Sequence, residues 1–443
     1  MHDAAQLQEL KTRAEQAVSA ALTAGASDAF CDADRSRNVE LEMRDGQLEK
    51  VQEATSRSLQ VQLWVDGRYG AHATTDLRPD RLTAFLADAV ALTRALEPDQ
   101  HRQITDPVLY EGRPKVDLQQ VDPAVVAMSR EDAIALLSEV HAPLGGTPQL
   151  ISATSGVNHG HSLTVRTSSN GFTGSQEDSA LWISAALTLR GEGDRRPEGG
   201  MWAGARYRDD VPAPDWVAAE ATRRATDVLD ARMGPTKNTT LIAQPSTAGM
   251  LLARLMQPAH GSAVQQGRSF WADRVGKVVI SPLLTVTDDP LLPRGFGSRL
   301  FDGEGIASRK RTMIADGALQ DLYVDTYNAS KLGRAPTTSD PSNRVIAPGS
   351  RGLEDLIGAT SDGYLVTDWL GGNMDPTTGD FSFGMRGFRL AGGARAQAVG
   401  EMNVTGNIVD LFARLAEVGD DPWPFSSIGA PTLVFDKVQF SGV

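Results

Sequence analysis

Seven histidines, one cysteine and a few clusters of carboxylates are the residues from which a reactive site could be built. None of His2, His72, His101, His141, His159, His161 and His260 is followed by glutamate, so the helical pairing of two imidazoles with a general base that marks many zinc proteases is absent. His159 and His161 stand two apart, a spacing that puts both rings on one face of a strand, where they could share a metal. With no third ligand beside them, hydrogen-bonded or solvent-facing histidines are the simpler reading. Asp288 and Asp289 precede Pro290, and Asp302 and Glu304 lie in the string F-D-G-E-G at 301–305. Grouped carboxylates could hold Mg or Mn, or hold two protons at different affinities for acid and base work. Carboxylates beside proline and glycine are equally what tight turns use. Cys31 falls in an alternating segment, as a small buried hydrophobe would, and a single cysteine permits neither an intrachain disulfide nor a multi-thiolate zinc site. Phosphate-loop, nucleophile-elbow and dinucleotide-binding strings are all missing.

The elements that must hold these side chains fall into three units, 1–105, 115–232 and 236–443. Leu10, Ala14, Ala17, Val18, Ala21 and Leu22 recur at helical spacing up to Gly25, which predicts an amphipathic first helix. Val39, Leu41 and Met43 alternate with polar residues up to Asp45-Gly46, and Leu59, Val61, Leu63 and Val65 do so up to Asp66-Gly67, the pattern of hairpin strands. A second helix follows through Leu82, Leu86, Val90 and Leu96, with Asp76 or Asp80 as its cap. Pro98, Pro107, Pro114 and Pro123 predict a surface crossing. The second unit reads as a helix through Ile134, Leu137 and Val140, strands either side of Asn170-Gly171, an exposed Gly-rich loop at 191–204 and a helix from Trp216 to Leu229. After Met233-Gly234-Pro235 the chain is mostly strand, with one main helix from Ala248 to Met256 capped by Ser246. The fold class is therefore α+β: an N-terminal α/β region of two helix-flanked antiparallel sheet units, then a mostly-β C-terminal domain.

Composition narrows the partners. With 41% apolar and 22% charged residues in 443, the chain can bury large cores. A net charge of -13 opposes binding to a nucleic-acid backbone or an anionic bilayer, and no apolar run is long enough to span a membrane. A soluble, cytoplasmic protein is expected.

Several separated strings, in order, resemble the TldD/PmbA family, once described as modulators of DNA gyrase and now as metallopeptidase subunits. They are G-S-A-V-Q-Q-G-R-S-F at 261–270, V-G-K at 275–277, D-D-P at 288–290, F-D-G-E-G at 301–305, D-G-A-L at 316–319, A-S-K-L-G at 329–333, T-G-D-F-S at 378–382 and T-G-N at 405–407. The resemblance covers essentially the whole chain. It implies that metal-bearing members carry H-E-x-x-x-H on the helix opening the last domain, with a later cysteine as third zinc ligand. Carried onto this chain, the motif positions are Ala253, Arg254 and Pro258, and no cysteine follows Cys31. The chain thus resembles the metal-free PmbA kind, also called TldE. That implies no cofactor here, zinc in a metal-bearing TldD-like partner, a heterodimer, and proteolysis of small or unfolded peptides in which this chain is non-catalytic. A self-associating homodimer that binds peptides or regulates another protein stays open, as does a hydrolase in which Asp288, Asp289, Asp302 and Glu304 gather around Mg or Mn. Polar positions in or near the strings, Arg268, Ser269, Asp302, Glu304, Asn373, Asp380 and Asn407, are the expected peptide or partner contacts.

Overall fold

Asp45-Gly46 and Asp66-Gly67 each place two successive residues at positive φ (49° and 79°, then 50° and 76°), the turn whose twist matches that of paired strands. They join β1 (Asp28–Arg44), β2 (Gln47–Val65) and β3 (Arg68–Thr74) into a meander flanked by α1 (Ala4–Thr23) and α2 (Pro79–Arg94). The computed structural model describes residues 4–443, so His2 lies outside the described residues. At the start of α2 the cap position belongs to Arg78, not to Asp76 or Asp80, and no side chain caps the helix. Pro79 opens it with a pre-set φ and no N–H to satisfy, which removes the need; Asp76 instead accepts from the Arg78 main chain at 3.3 Å.

The second unit contributes the short α3 (Pro123–Val126), then α4 (Arg130–His141), β4 (Leu150–Ser168), β5 (Thr173–Leu189), β6 (Glu198–Ala205) and α5 (Pro214–Asp227). Its strands do not form a separate sheet. β1 pairs antiparallel with β4 from Phe30 opposite Ser168 to Arg44 opposite Thr154, giving one six-stranded sheet in the order β3-β2-β1-β4-β5-β6. The expected Gly-rich loop is half strand: only its first residues loop out, and Glu198–Ala205 is edge strand β6. Gly199 is there because a Cβ would come within 2.1 Å of the Ala225 main chain on α5. Alternation then divides the sheet. Cys31, Ala33, Leu59, Val61 and Leu63 meet α1 and α2, while Val39, Leu41, Val157, Leu181 and Ile183 meet α4 and α5 on the same face. The other face carries Asp32, Asp34, Ser36, Gln60, Ser162, Thr164 and Asp178, and all four long helices lie away from it.

The crossing at 98–123 is a strap between this sheet and the C-terminal domain. Ser179 N donates to Gln120 O on one side, and Arg294 N and Ala307 N donate to Leu118 O and Leu109 O on the other, all at 2.8–2.9 Å.

The last domain runs β7 (Lys237–Ala243), α6 (Pro245–Met256), α7 (Gly261–Gln265), β8 (Val286–Asp288), β9 (Arg311–Ala315), β10 (Ala318–Leu319), α8 (Thr326–Leu332), β11 (Arg344–Ile346), α9 (Leu353–Ala359), β12 (Asp362–Met374), β13 (Asp380–Ala391), β14 (Ala394–Asn407), α10 (Ile408–Ala413), β15 (Leu415–Val418), β16 (Ile428–Gly429) and β17 (Leu433–Ser441). The long strands order as β14-β13-β12-β7-β17-β15, and β17 also pairs with β14, which closes a barrel. A register shift between Phe435 and Val438, with Lys437 at φ 53°, lets β17 pair β15 with its first half and β14 with its last. A smaller sheet, β10-β9-β8-β11-β16, lies beside it. α6 drives Ala248, Leu251, Leu252, Leu255 and Met256 into the core, each fully buried; each large side chain contributes about 1.5–3 kcal/mol. Its cap position is Gln244 followed by Pro245, not Ser246, whose hydroxyl accepts from Gln244 Nε2 at 2.8 Å. Helices α7 to α10 were not anticipated: at five to seven residues they are too short to show a helical period.

Candidate functional site

The loop 301–307 follows the smaller sheet's first strand and turns back on itself, and its acidic residues face inward. Asp302 is 2% exposed and accepts four hydrogen bonds, from Glu304 N (3.0 Å), Ile306 N (2.9 Å), Ser339 N (2.8 Å) and Thr338 Oγ1 (3.1 Å). It ties its own loop to the segment 338–339. Glu304 accepts from Thr326 at both oxygens, from Oγ1 at 2.6 Å and from N at 2.9 Å, and so binds the loop to the first turn of α8. Burial pushes its carboxyl up to about 7, with the charges of Asp302 and Asp325 adding to the rise and the two Thr326 bonds opposing it. At neutral pH this group exchanges a proton while both its oxygens are engaged.

The neighbouring aspartates behave alike. Asp288 is 2% exposed at the end of β8, accepting from Tyr323 Oη and Ser342 N at 2.9 Å and also from Ser342 Oγ. Burial, then the Asp288 charge, drive the Tyr323 phenol well above its usual range. Asp289 faces Lys310 Nζ at 3.0 Å and accepts from Leu291 N. Each carboxylate thus has its own protein donors, and among the described residues no three His, Cys, Asp or Glu side chains gather as ligands. His159 and His161 do share a sheet face, but His161 Nε2 meets Glu177 at 2.9 Å and His159 is buried with its Nε2 unpartnered.

The remaining expected contacts lie apart from this loop, and of them only Asp380 and Asn407 are hydrogen-bonded to each other. Ser269 donates to Pro258 O at 2.6 Å and accepts from Trp271 N, while Trp271 Nε1 donates to Leu255 O at 2.8 Å. Together they satisfy carbonyls left over at the end of α6. Arg268 is exposed, just after α7, and its main-chain N closes that helix on Ala263 O at 2.8 Å. Asp380 and Asn407 face each other across β13 and β14: Asn407 Nδ2 donates to Asp380 Oδ1 at 2.9 Å, and its Oδ1 caps α10 by accepting from Val409 N. Asn373 is exposed on β12, opposite Ser382. Of the seven residues, the structure therefore joins Asp302 to Glu304 and Asp380 to Asn407, and leaves three separate.

Ala253, Arg254 and Pro258 occupy the end of α6 and the 3₁₀ turn after it, with Pro258 buried. A methyl group, a permanent cation and a pyrrolidine ring offer zinc nothing, so this helix end does not fit the metal. Sequence reasoning missed Tyr323, Thr326, Thr338 and Ser342, which supply the donors to the buried carboxylates. It named His260 without giving it a place; the half-buried ring leans on Tyr323 with centroids 5.2 Å apart. Burial lowers its pKa, against the pull of Asp340 and Asp325. The only hint was that Asp288 and Asp302 stand in the strings on which the family resemblance rests.

The geometry finds counterparts in known proteins. Models of PmbA/TldA metallopeptidase domain 1, central domain and C-terminal domain match residues 33–93, 125–229 and 236–442. Metalloprotease PmbA of Escherichia coli O157:H7 is 27% identical over 97% of this chain and 96% of its own length. A solved structure from Bacteroides thetaiotaomicron, described as a candidate modulator of DNA gyrase, is 35% identical with a TM-score of 0.95, covering 98% of this chain and 99% of that one. TldE from Thermococcus kodakarensis, at 20% identity, shares the fold with a TM-score of 0.85 over 97% of this chain and 100% of its own. Matches across all three units, together with a relative this similar along its whole length, establish that the chain belongs to the PmbA/TldD metallopeptidase family.

Proposed function

We propose that this protein is the metal-free, non-catalytic subunit of a heterodimeric metallopeptidase that acts on small or unfolded peptides in the cytoplasm, with zinc and its ligands supplied by a TldD-like partner. The observation that carries this reading is the end of α6, where Ala253, Arg254 and Pro258, the positions that the family resemblance assigns to two zinc-binding histidines and a general base, offer neither a ligand atom nor a base. It is supported by the separation of Asp288, Asp289, Asp302 and Glu304 among their own donors, which leaves a carboxylate-bound Mg or Mn without a ligand set. The E. coli relative carries the name metalloprotease; on this reading the activity that name describes belongs, for this chain, to a complex. The polar face of the N-terminal sheet carries no long helix, and away from the end on which Phe296 and Phe301 of the C-terminal domain pack, at the exposed Ser36–Ser56 pair, it suits the wall of a chamber completed by a partner. Among the described residues no helix is long and apolar enough to cross a membrane.

The test is metal analysis and peptide hydrolysis by the purified chain, alone and mixed with a metal-bearing relative. Hydrolysis only in the mixture, with no stoichiometric zinc in the isolated chain, is expected. Cleavage by a homogeneous sample of this chain alone overturns the reading.

A further inference from the structure

β6 pairs with β5 only along Leu181–Thr188, so the earlier part of β5 meets something other than a strand at its outer edge. Two main-chain bonds fix which residues point that way: Leu189 N donates to Pro197 O and Ser179 N donates to Gln120 O, both at 2.9 Å. Odd-numbered residues of β5 therefore turn their N–H and C=O outward, and the register with β4 runs unshifted from Ser152 to Thr167, so Ser175 is one of them. Arg113 Nη1 takes the outward carbonyl of Thr173 at 2.9 Å. Ser175 lies between these two anchored positions, on a cavity of about 290 Å³ whose other walls are the strap at 116–121 and the segment Ser298 to Phe301.

Gln120 lines the same cavity. It is 8% exposed, its Nε2 is spent on Leu118 O at 3.0 Å, and its Oε1 has no donor. A buried amide oxygen in that state is one that a ligand N–H would satisfy. Leu118, Leu300 and Phe301 give the cavity an apolar side. A strand edge, an unmatched acceptor beside it and an apolar side, set among the charged Asp117, Glu177 and Arg299, are parts that strand addition can use, in which main-chain bonds give affinity and alternate side chains find pockets. The edge of β2 from 47 to 58, beyond its pairing with β3, is built differently: it carries Glu49, Lys50, Glu53 and Arg57, charges that deter strand addition.

Resting on the reading of this protein as a peptide-handling subunit, we propose that the cavity beside Ser175 holds a short extended peptide segment, which adds to the outer edge of β5, donates a main-chain N–H to Gln120 Oε1 and lays an apolar side chain on Leu300 and Phe301. The probe is a fluorescein-labelled unstructured peptide of alternating leucine and serine, with binding to the full chain followed by fluorescence anisotropy. Ser175→Pro removes an outward N–H without removing a bond to β4, and Gln120→Leu removes the acceptor at nearly constant volume. Each is expected to weaken binding about three- to tenfold. In the unaltered chain, the peptide is expected to slow amide exchange at Ser175 and to leave 47–54 on β2 unchanged. The proposal is overturned if the peptide does not bind the chain, or if it binds without protecting Ser175. Hydrolysis by the mixture with a metal-bearing relative separates the two claims. A mixture that cleaves peptides while Ser175 stays unprotected keeps the proposed function and removes this site; binding at Ser175 in a chain whose mixtures never cleave peptides does the reverse.

Discussion

The N-terminal sheet and the C-terminal domain place their polar side chains by opposite rules. On the sheet they occupy one face by simple alternation, meeting as cross-strand pairs that stay half in solvent: Ser36 with Ser56 at 2.7 Å, Ser162 with Asp178 at 2.7 Å, Thr164 with Asp34 at 2.6 Å. In the last domain Asp288, at the end of β8, and Asp302, in an irregular loop, are each 2% exposed and accept from segments far along the chain, Asp302 from its own loop as well. Strands satisfy their own main chain, so a polar face on a sheet is nearly free to vary. Loops have no ladder, and buried loop N–H groups such as those of Glu304, Ile306 and Ser339 need a side-chain acceptor. The carboxylates that looked most like chemistry are, in this arrangement, the means by which the loops are folded at all.

If that contrast is right, the largest effect comes from Asp302→Ala, which strands four donors at once. A loss of about 3–5 kcal/mol in unfolding free energy is expected from urea titration. A change below about 1 kcal/mol would mean that the loop is held by something else and would free Asp302 for a role with ligand.

Glu304 sharpens the same contrast through pH. Its folded-state value, about 7, lies above the ordinary 4.5, so the folded protein binds the extra proton between them. The stabilisation from this group is complete below pH 4.5 and is lost as pH rises through 7, at most about 3 kcal/mol over the interval. Glu304→Gln, which stays neutral and can still accept from Thr326, should flatten that slope when stability is measured from pH 5 to 8. An unchanged slope in the variant would remove Glu304 as its source.

A milder version exists on the sheet. Burial lifts Asp32 to about 6 against the lowering influence of Arg166, whose Nε lies 3.0 Å from Asp32 Oδ1. Arg166→Met should therefore raise the Asp32 titration midpoint further, as read by carboxyl-carbon NMR, and a fall or no change would show that the guanidinium is not what holds it down.

How much of this was legible depended on whether local pattern or distant pairing decided the matter. The first helix and both Asp-Gly hairpins were readable because period and turn chemistry lie within a few residues. That the two N-terminal units share one sheet was not, because it rests on Phe30 finding Ser168, a pairing to which neither segment's pattern points. β6 hid behind glycines that serve close packing against α5 rather than looping. At the candidate site, that Ala253, Arg254 and Pro258 carry no side chain able to hold zinc could be read directly. The donors to Asp288 and Asp302 could not, since Tyr323, Thr338 and Ser342 come from segments with no periodicity to betray them.

The smallest expected effect is also the one that bears most directly on function. Ser36→Ala removes the Ser36–Ser56 contact on the open face, where water can replace either hydroxyl. Surface substitutions of this kind change stability by about 0.5 kcal/mol or less, so thermal unfolding of the isolated chain should barely move. If the open face is a chamber wall, the same variant in a mixture with a metal-bearing relative should leave assembly intact, because a wall bounds the space that substrate enters and takes no part in the subunit contact. If the face is instead an interface, burying it turns the lost hydroxyl into an unmatched partner at Ser56, and complex formation should weaken while the isolated chain stays as stable as before. Comparing the unfolding of the chain alone with its assembly in the mixture therefore distinguishes a surface that encloses peptide from one that another subunit covers.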